Sequence, residues 1–355
     1  MSSLQLKNPL RLDHLAIWVD DMNKAVAFCT DVMGWKRHPM VIEVSDDDPT
    51  VGGMEAVFID ANGLWLEFIL PTSPGPGMDI LEEKGAGTIV EINFEALNSD
   101  FQTILKSMND KKIQMLNMDG SPLVNSGKIQ EGVRGQDETT ETGQYIAYWP
   151  KPLAGGSTVE VYERVESDAT NLLNVRDAQW KDEQPDKNAP RLHHISIMVR
   201  DLEDTAKFYT DTLGLPRSPA TFSIDSEENR EIGGMNITFI HTNNRRVWLE
   251  LVAPRGPGPI MDYLNMKGDG YFAELIAEVD DIETFYDQMK AKGIQLTNID
   301  GTPLSDSKKY DVVEPYGEKI VYIPEDIACG MTIEVIERGP TNDSIMNRLY
   351  ATPPV

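Results

Sequence analysis

Five histidines occur in the 355 residues, at 14, 38, 193, 194 and 241, and two of them, His14 and His194, stand at matching places in two similar stretches. Each sits in an alternating run, LDHLAIWV or LHHISIMV, of the kind that forms a half-buried strand. In the first run Leu15, Ile17 and Val19 share one face, which leaves His14 on the other with Ala16 and Trp18. Glutamates recur in the same way inside apolar segments: LWLEFIL and VWLELVA, TIVEINF and YFAELIA, STVEVYER and MTIEVIER. A carboxylate in such a strand is costly to bury alone, and a divalent metal or a cationic partner offsets that cost. Taken singly, a strand histidine is more often a hydrogen-bonded polar residue, and a strand glutamate more often faces water. Two matching sets of one imidazole and several carboxylates read instead as metal chemistry.

These residues are positioned by a duplicated chain. The segment LDHLAIWVDDMNKAVAFCTDVMGW, from Leu12, returns as LHHISIMVRDLEDTAKFYTDTLGL, from Leu192, and further pairs keep the order: VGGMEAVFI with IGGMNITFI, NMDGSPL with NIDGTPL. The spacing predicts a first domain over 1–168, a polar linker over 169–190 and a second domain over 191–355. After the leading strand Asp21 caps a helix whose apolar positions Met22, Ala25, Val26, Cys29, Val32 and Met33 follow helical spacing, and Gly34 ends it; Asp201 and Gly214 repeat the device. Strands are expected near 39–44, 55–60 and 64–70. The series then begins again with a strand at 88–95, a helix carrying Phe101, Ile104, Leu105 and Met108 on one face, and strands near 113–117, 144–149 and 157–163. Each half is thus two βαβββ modules. The Asp-Gly loops and the GGM pairs, Gly52 to Met54 and Gly233 to Met235, read as turns and bends and not as phosphate-binding loops.

With its D/H-H strand, capped helix ending in MG or LG, LELxxP-type strand and closing VEVxER or IEVIER strand, all present twice, the chain resembles the vicinal oxygen chelate superfamily, nearest to glyoxalase I or methylmalonyl-CoA epimerase. The resemblance implies an α+β fold, a tandem duplication in which four βαβββ modules form curved mixed sheets around metal sites. It also implies a ligand set: His14, Glu67, Glu91 and Glu160 in the first domain and His194, Glu250, Glu274 and Glu334 in the second. Where the family commonly supplies a second histidine this chain has Glu91 and Glu274. An oxygen-rich site of that kind favours Mn²⁺ or Fe²⁺, with Zn²⁺, Co²⁺, Ni²⁺ or Mg²⁺ as alternatives. Which modules pair is open at this level, and because both halves keep all four residue types two sites per chain are expected.

The reaction such a site runs is proton abstraction beside a metal-chelated carbonyl, that is, isomerisation, epimerisation or elimination on a small substrate with adjacent oxygens. Glu160 and Glu334 are the leading candidates for ligand and base, followed by Glu91 and Glu274. Two alternatives compete. A ring-cleaving extradiol-type dioxygenase needs two histidines and one carboxylate on iron, which Glu91 and Glu274 disfavour. A non-catalytic binding protein would use Trp18, Trp65 and Trp248 as pocket walls, but a pocket crowded with carboxylates suits it poorly.

Composition narrows the partners. A formal net charge of −26, with no compensating basic stripe, argues against nucleic acid and anionic lipid. No apolar run is long enough to span a bilayer and the first residues lack a signal-peptide core, so a cytoplasmic monomer or homodimer is expected. The two cysteines, Cys29 and Cys329, occupy unrelated places in the repeat and imply neither a disulfide framework nor a thiolate metal site.

Overall fold

The structure is a computed structural model and describes residues 10–46, 52–97, 101–123, 145–164, 172–180, 186, 188–224, 233–244, 247–314, 316–342 and 344–351. The first strand, β1 (Leu10–Trp18), forms because its alternation gives it two different faces. Leu15, Ile17 and Val19 are fully buried in the main core, and Ala16 and Trp18 belong to a separate apolar cluster on the opposite, concave face. Helix α1 (Met22–Ala27) follows, its first turn capped by the Asp21 carboxylate accepting from the Lys24 amide, and it continues as a π-turn over Phe28–Val32. Gly34 then takes the left-handed conformation with φ +71° that ends the element, as expected.

Three strands complete the module, β2 (Lys36–Val44), β3 (Met54–Asp60) and β4 (Trp65–Pro71), and β4 returns parallel to β1. Helix α2 (Pro76–Lys84), begun by a proline in its first turn, links to the second module of β5 (Ile89–Ala96), α3 (Phe101–Asp110), β6 (Tyr145–Tyr148) and β7 (Val159–Glu163). The seven strands form one mixed sheet in the order β2-β3-β4-β1-β5-β7-β6. The sequence did not announce α2. The strand expected near 113–117 is absent as an element, since only Leu116 bridges, to Pro122 and Tyr148.

Of the expected linker, 169–171, 181–185 and 187 lie outside the described residues, but its middle is a helix, α4 (Leu172–Trp180), which lays Leu173 and Arg176 into the first domain. The second domain repeats the plan with β8 (Arg191–Met198), α5 (Leu202–Lys207), β9 (Arg217–Ile224), β10 (Met235–His241) and β11 (Trp248–Pro254). Then come α6 (Pro259–Lys267), β12 (Tyr271–Val279), α7 (Ile282–Ala291), β13 (Asp311–Val313), β14 (Glu318–Ile323) and β15 (Ile333–Glu337). Its sheet order is β13-β14-β15-β12-β8-β11-β10-β9, and α8 (Ile345–Ala351) packs against it as α4 packs against the first.

The halves meet through an approximate two-fold relation. The Leu12 amide donates to Thr242 O at 3.0 Å and the Leu192 amide to Ala61 O at 3.1 Å. Lys111 reaches Asp211 O across the seam, and Lys292 reaches Asp31 O, each at 2.7 Å. The backbones approach most closely at glycines: a Cβ on Gly87 would lie 2.1 Å from Gly330, and one on Gly156 would lie 2.1 Å from Asp269 O. Both free thiols, Cys29 and Cys329, are buried. Among the described residues no helix is long and apolar enough to cross a membrane.

Candidate metal and proton-transfer site

Strand register brings the expected residues into rows. In the first sheet Ala16 of β1 is flanked by Glu67 on β4 and Glu91 on β5, and His14 pairs with Asn93, which pairs with Glu160 on β7. In the second sheet Ser196 is flanked by Glu250 and Glu274, and His194 pairs with Ile276, which pairs with Glu334. All four residues of each set therefore lie in one domain's sheet. Sequence reasoning missed the tyrosines that join the same rows. Tyr148 donates to Glu160, and the Tyr322 hydroxyl donates to Glu334 at 2.5 Å. Their signal was present, because the two tyrosines are offset by 174 residues (322 − 148), as the glutamates are (334 − 160).

From this common frame the two sites diverge. In the first domain His14 Nδ1 lies 2.8 Å from Asp13 and Nε2 lies 3.4 Å from Glu67. Asp13 is gripped by both terminal nitrogens of Arg176, at 3.0 and 2.9 Å, and by Arg164 at 3.0 Å. The Arg176 guanidinium has no solvent exposure and stacks 5.1 Å from the Phe58 ring centre and 4.8 Å from that of Trp65. Burial works against charge on every group here, yet it is outweighed. Arg176 and the His14 hydrogen bond hold Asp13 well below the usual carboxylate range, and hydrogen bonds to Asp13 and Glu67 lift His14 to about 9. His14 thus holds its proton more tightly than a free imidazole, and an ion at this position would compete with that proton. Leu173 and Arg176 of α4 pack on the concave side, and both Arg176 and Arg164 pair with Asp13, Arg164 also with Glu95. The missed arginine had a faint signal: LLNVRDAQW is apolar enough to be a helix with a buried face.

The second domain carries His193 where the first has Asp13, and the guanidiniums that act on it, Arg338 and Arg191, pair with Glu278. His193 and His194 share a hydrogen bond of 2.8 Å between their Nδ1 atoms, and burial pushes His194 down to about 3, so that its ring is neutral. Either ring can be the donor of that bond; the tautomer with His194 donating from Nδ1 turns an Nε2 lone pair toward Glu250, 3.7 Å away, as ligation through Nε2 requires. His194, Glu250, Glu274 and Glu334 all line one cavity of about 460 Å³. Burial is the largest influence on each carboxylate, followed by Glu334 for both Glu250 and Glu274, while the Tyr322 hydrogen bond opposes it at Glu334. Glu250 is pushed up to about 8, Glu334 to about 7, and Glu274 well above the ordinary carboxylate value. No lysine or arginine is among those influences. In this conformation no three His, Cys, Asp or Glu side chains among the described residues stand close enough together to hold an ion. A neutral imidazole and three buried carboxylates on one cavity nevertheless have the donor chemistry of a divalent site.

A family model described as Glyoxalase/Bleomycin resistance protein/Dioxygenase superfamily matches residues 11–111 and 191–322. The chain is 26% identical over 191 residues to mitochondrial methylmalonyl-CoA epimerase of Mus musculus, covering 53% of this chain and 95% of that one. It is 31% identical over 107 residues to ethylmalonyl-CoA/methylmalonyl-CoA epimerase of Cereibacter sphaeroides, covering 30% of this chain and 73% of that one. A triple mutant of 4-hydroxymandelate synthase from Streptomyces coelicolor superposes with a TM-score of 0.59 at 15% identity, over 96% of this chain and 98% of that one. A catechol 2,3-dioxygenase does so with a TM-score of 0.51 at 14% identity, over 94% and 90%. At such identities the two structures speak for the fold alone. The matched segments include the leading strands of both domains with His14, Glu67, Glu91, His194, Glu250 and Glu274, and the chain belongs to the Glyoxalase/Bleomycin resistance protein/Dioxygenase superfamily.

Proposed function

We propose that the second domain is the catalytic half and that it moves a proton at a carbon next to a chelated oxygen pair, an epimerase- or isomerase-type reaction. The observation that carries this reading is the convergence of His194, Glu250, Glu274 and Glu334 on one cavity, while α4 lays Leu173 and Arg176 against the first domain's concave face. His194, Glu250 and Glu334 would hold a divalent ion, with Glu274 beside them; when bound, the ion supplies a Lewis acid that draws charge from a substrate carbonyl. Glu334 takes the carbon-bound proton, and the Tyr322 hydroxyl, donating to Glu334, fixes the carboxylate's orientation. Glu274, on the strand next to β8, is placed to return a proton. The apolar walls exclude water, so that the proton passes between substrate and carboxylate and not to solvent.

The test is deuterium incorporation in deuterated, oxygen-free water with carbonyl substrates and Mn²⁺-loaded protein. Exchange into product or recovered substrate is expected, with Glu334→Gln reducing it by about 10²-fold or more and Glu160→Gln leaving it near wild type. One ion per chain is expected by metal analysis, lost in His194→Ala and kept in His14→Ala. A strict oxygen requirement with oxygen atoms in the product moves the protein to the ring-cleaving branch. Two ions per chain refute the asymmetry.

A further inference from the structure

The second-domain cavity also constrains what it admits. We infer that it takes an uncharged, largely apolar substrate and excludes molecules bearing carboxylate or phosphate, acyl-CoA thioesters among them; this rests on the reading of that domain as the catalytic half. Its walls are aliphatic, with Ile237, Val252, Ile276 and Ile336 from four strands and Ile345 and Met346 of α8 closing over them. Among the described residues that line it there is no lysine and no arginine, whereas five glutamates do: Glu250, Glu274, Glu318, Glu325 and Glu334. Lys267 lies over the Tyr263 and Tyr271 rings, and Arg348 lies over the Phe222 ring at 4.5 Å.

Ionised, Glu250, Glu274 and Glu334 repel an anion, and holding the protons that burial favours in metal-free protein they still supply no countercharge. An anion brought among them is desolvated without a partner, the costly case for a buried charge. The volume, about 460 Å³, suits a small molecule whose bulk is hydrocarbon and whose few oxygens meet the imidazole and carboxylates at the base. The same conclusion separates this chain from the relatives named for methylmalonyl-CoA, a thioester with a free carboxylate and several phosphates. The protein's net charge of −26 adds long-range repulsion of the same sign.

Two probes matched in ring and size decide the matter by calorimetric titration of the full chain: 2-hydroxyacetophenone, uncharged, and phenylglyoxylate, its anionic counterpart, with methylmalonyl-CoA as a third. Metal-free protein isolates the cavity from any ion. The uncharged probe is expected to bind at least about tenfold more tightly than either anion. Replacing two rim residues, the half-exposed Ile299 and Glu325, in an Ile299→Lys/Glu325→Lys variant should narrow that preference by about threefold or more, since both line the mouth without supporting the core. Anions binding as tightly as the uncharged probe, failure of the uncharged probe to bind, or a preference unmoved by the double lysine variant would each overturn the inference. None of these readouts requires turnover, so a failed deuterium exchange condemns the proton-transfer reading without touching this one.

Discussion

Replacing Arg176 by methionine removes the only fully buried guanidinium described in the first domain while keeping a side chain of comparable length against the Phe58 and Trp65 rings. Two charge-assisted hydrogen bonds to Asp13 disappear, each worth about 1.5–3 kcal/mol, together with about 1–2 kcal/mol of cation–π attraction. Asp13 stays buried, at 6% exposure, but keeps Arg164 at 3.0 Å. Breaking a buried ion pair from one side costs about 3–5 kcal/mol, and the surviving arginine places this case near the lower end, about 3 kcal/mol. Urea unfolding at pH 7 followed by tryptophan emission reads the change directly, because Trp65 and Trp180 pack 5.4 Å apart beside the substituted group. The double variant Arg176→Met/Asp13→Asn should fall short of the sum of its singles by about 1–2 kcal/mol, since it leaves no orphaned charge. Metal affinity in the second domain should not move. A loss under about 1 kcal/mol for Arg176→Met, or strict additivity in the double variant, would refute the view that α4 supplies the first domain's missing cation.

The His14 ring, lifted to about 9 from an ordinary 6.5, binds its proton more tightly in the folded chain, so its contribution is complete below pH 6.5 and is lost as the pH rises through 9. Unfolding midpoints at pH 6, 7.5 and 9 should fall along that series in wild type and flatten in His14→Gln; parallel curves would dismiss the imidazolium. Asp13 acts in the opposite sense: held below the usual range, it stabilises above pH 3.8 and loses that contribution as the pH drops further. In metal-free protein Glu250 at about 8 and Glu334 at about 7 keep protons that the unfolded chain has released, so stability declines from pH 4.5 towards 8. Added Mn²⁺ competes with those protons and should raise the melting temperature more at pH 8 than at pH 5.5, with equal shifts contradicting the site. Gly87→Ala, whose Cβ would meet Gly330 at 2.1 Å with φ +80°, should cost more than about 2 kcal/mol. Gly85→Ala, with φ +86° but open space, serves as the control, and equal losses would show that backbone conformation alone matters.

The amino-acid sequence by itself determined the repeat, the capped helices after Asp21 and Asp201, the concave placement of His14 opposite Leu15 and Ile17, and the glutamates that share its rows. Those are local properties, set by period-two alternation, side-chain capping and glycine at positive φ, and they survive in any context. Tertiary structure alone decided which strands became neighbours, and thereby that each His-Glu set lies in its own domain's sheet. It also decided that two sets of equal composition differ in character. Asp13 and His193 occupy the same repeat position, but Asp13 recruits Arg176 from a helix 163 residues further on, charging His14, while His193 leaves His194 neutral beside an open cavity. Charge state and cavity arise from burial and from partners distant in the chain, and a periodic pattern carries no record of either.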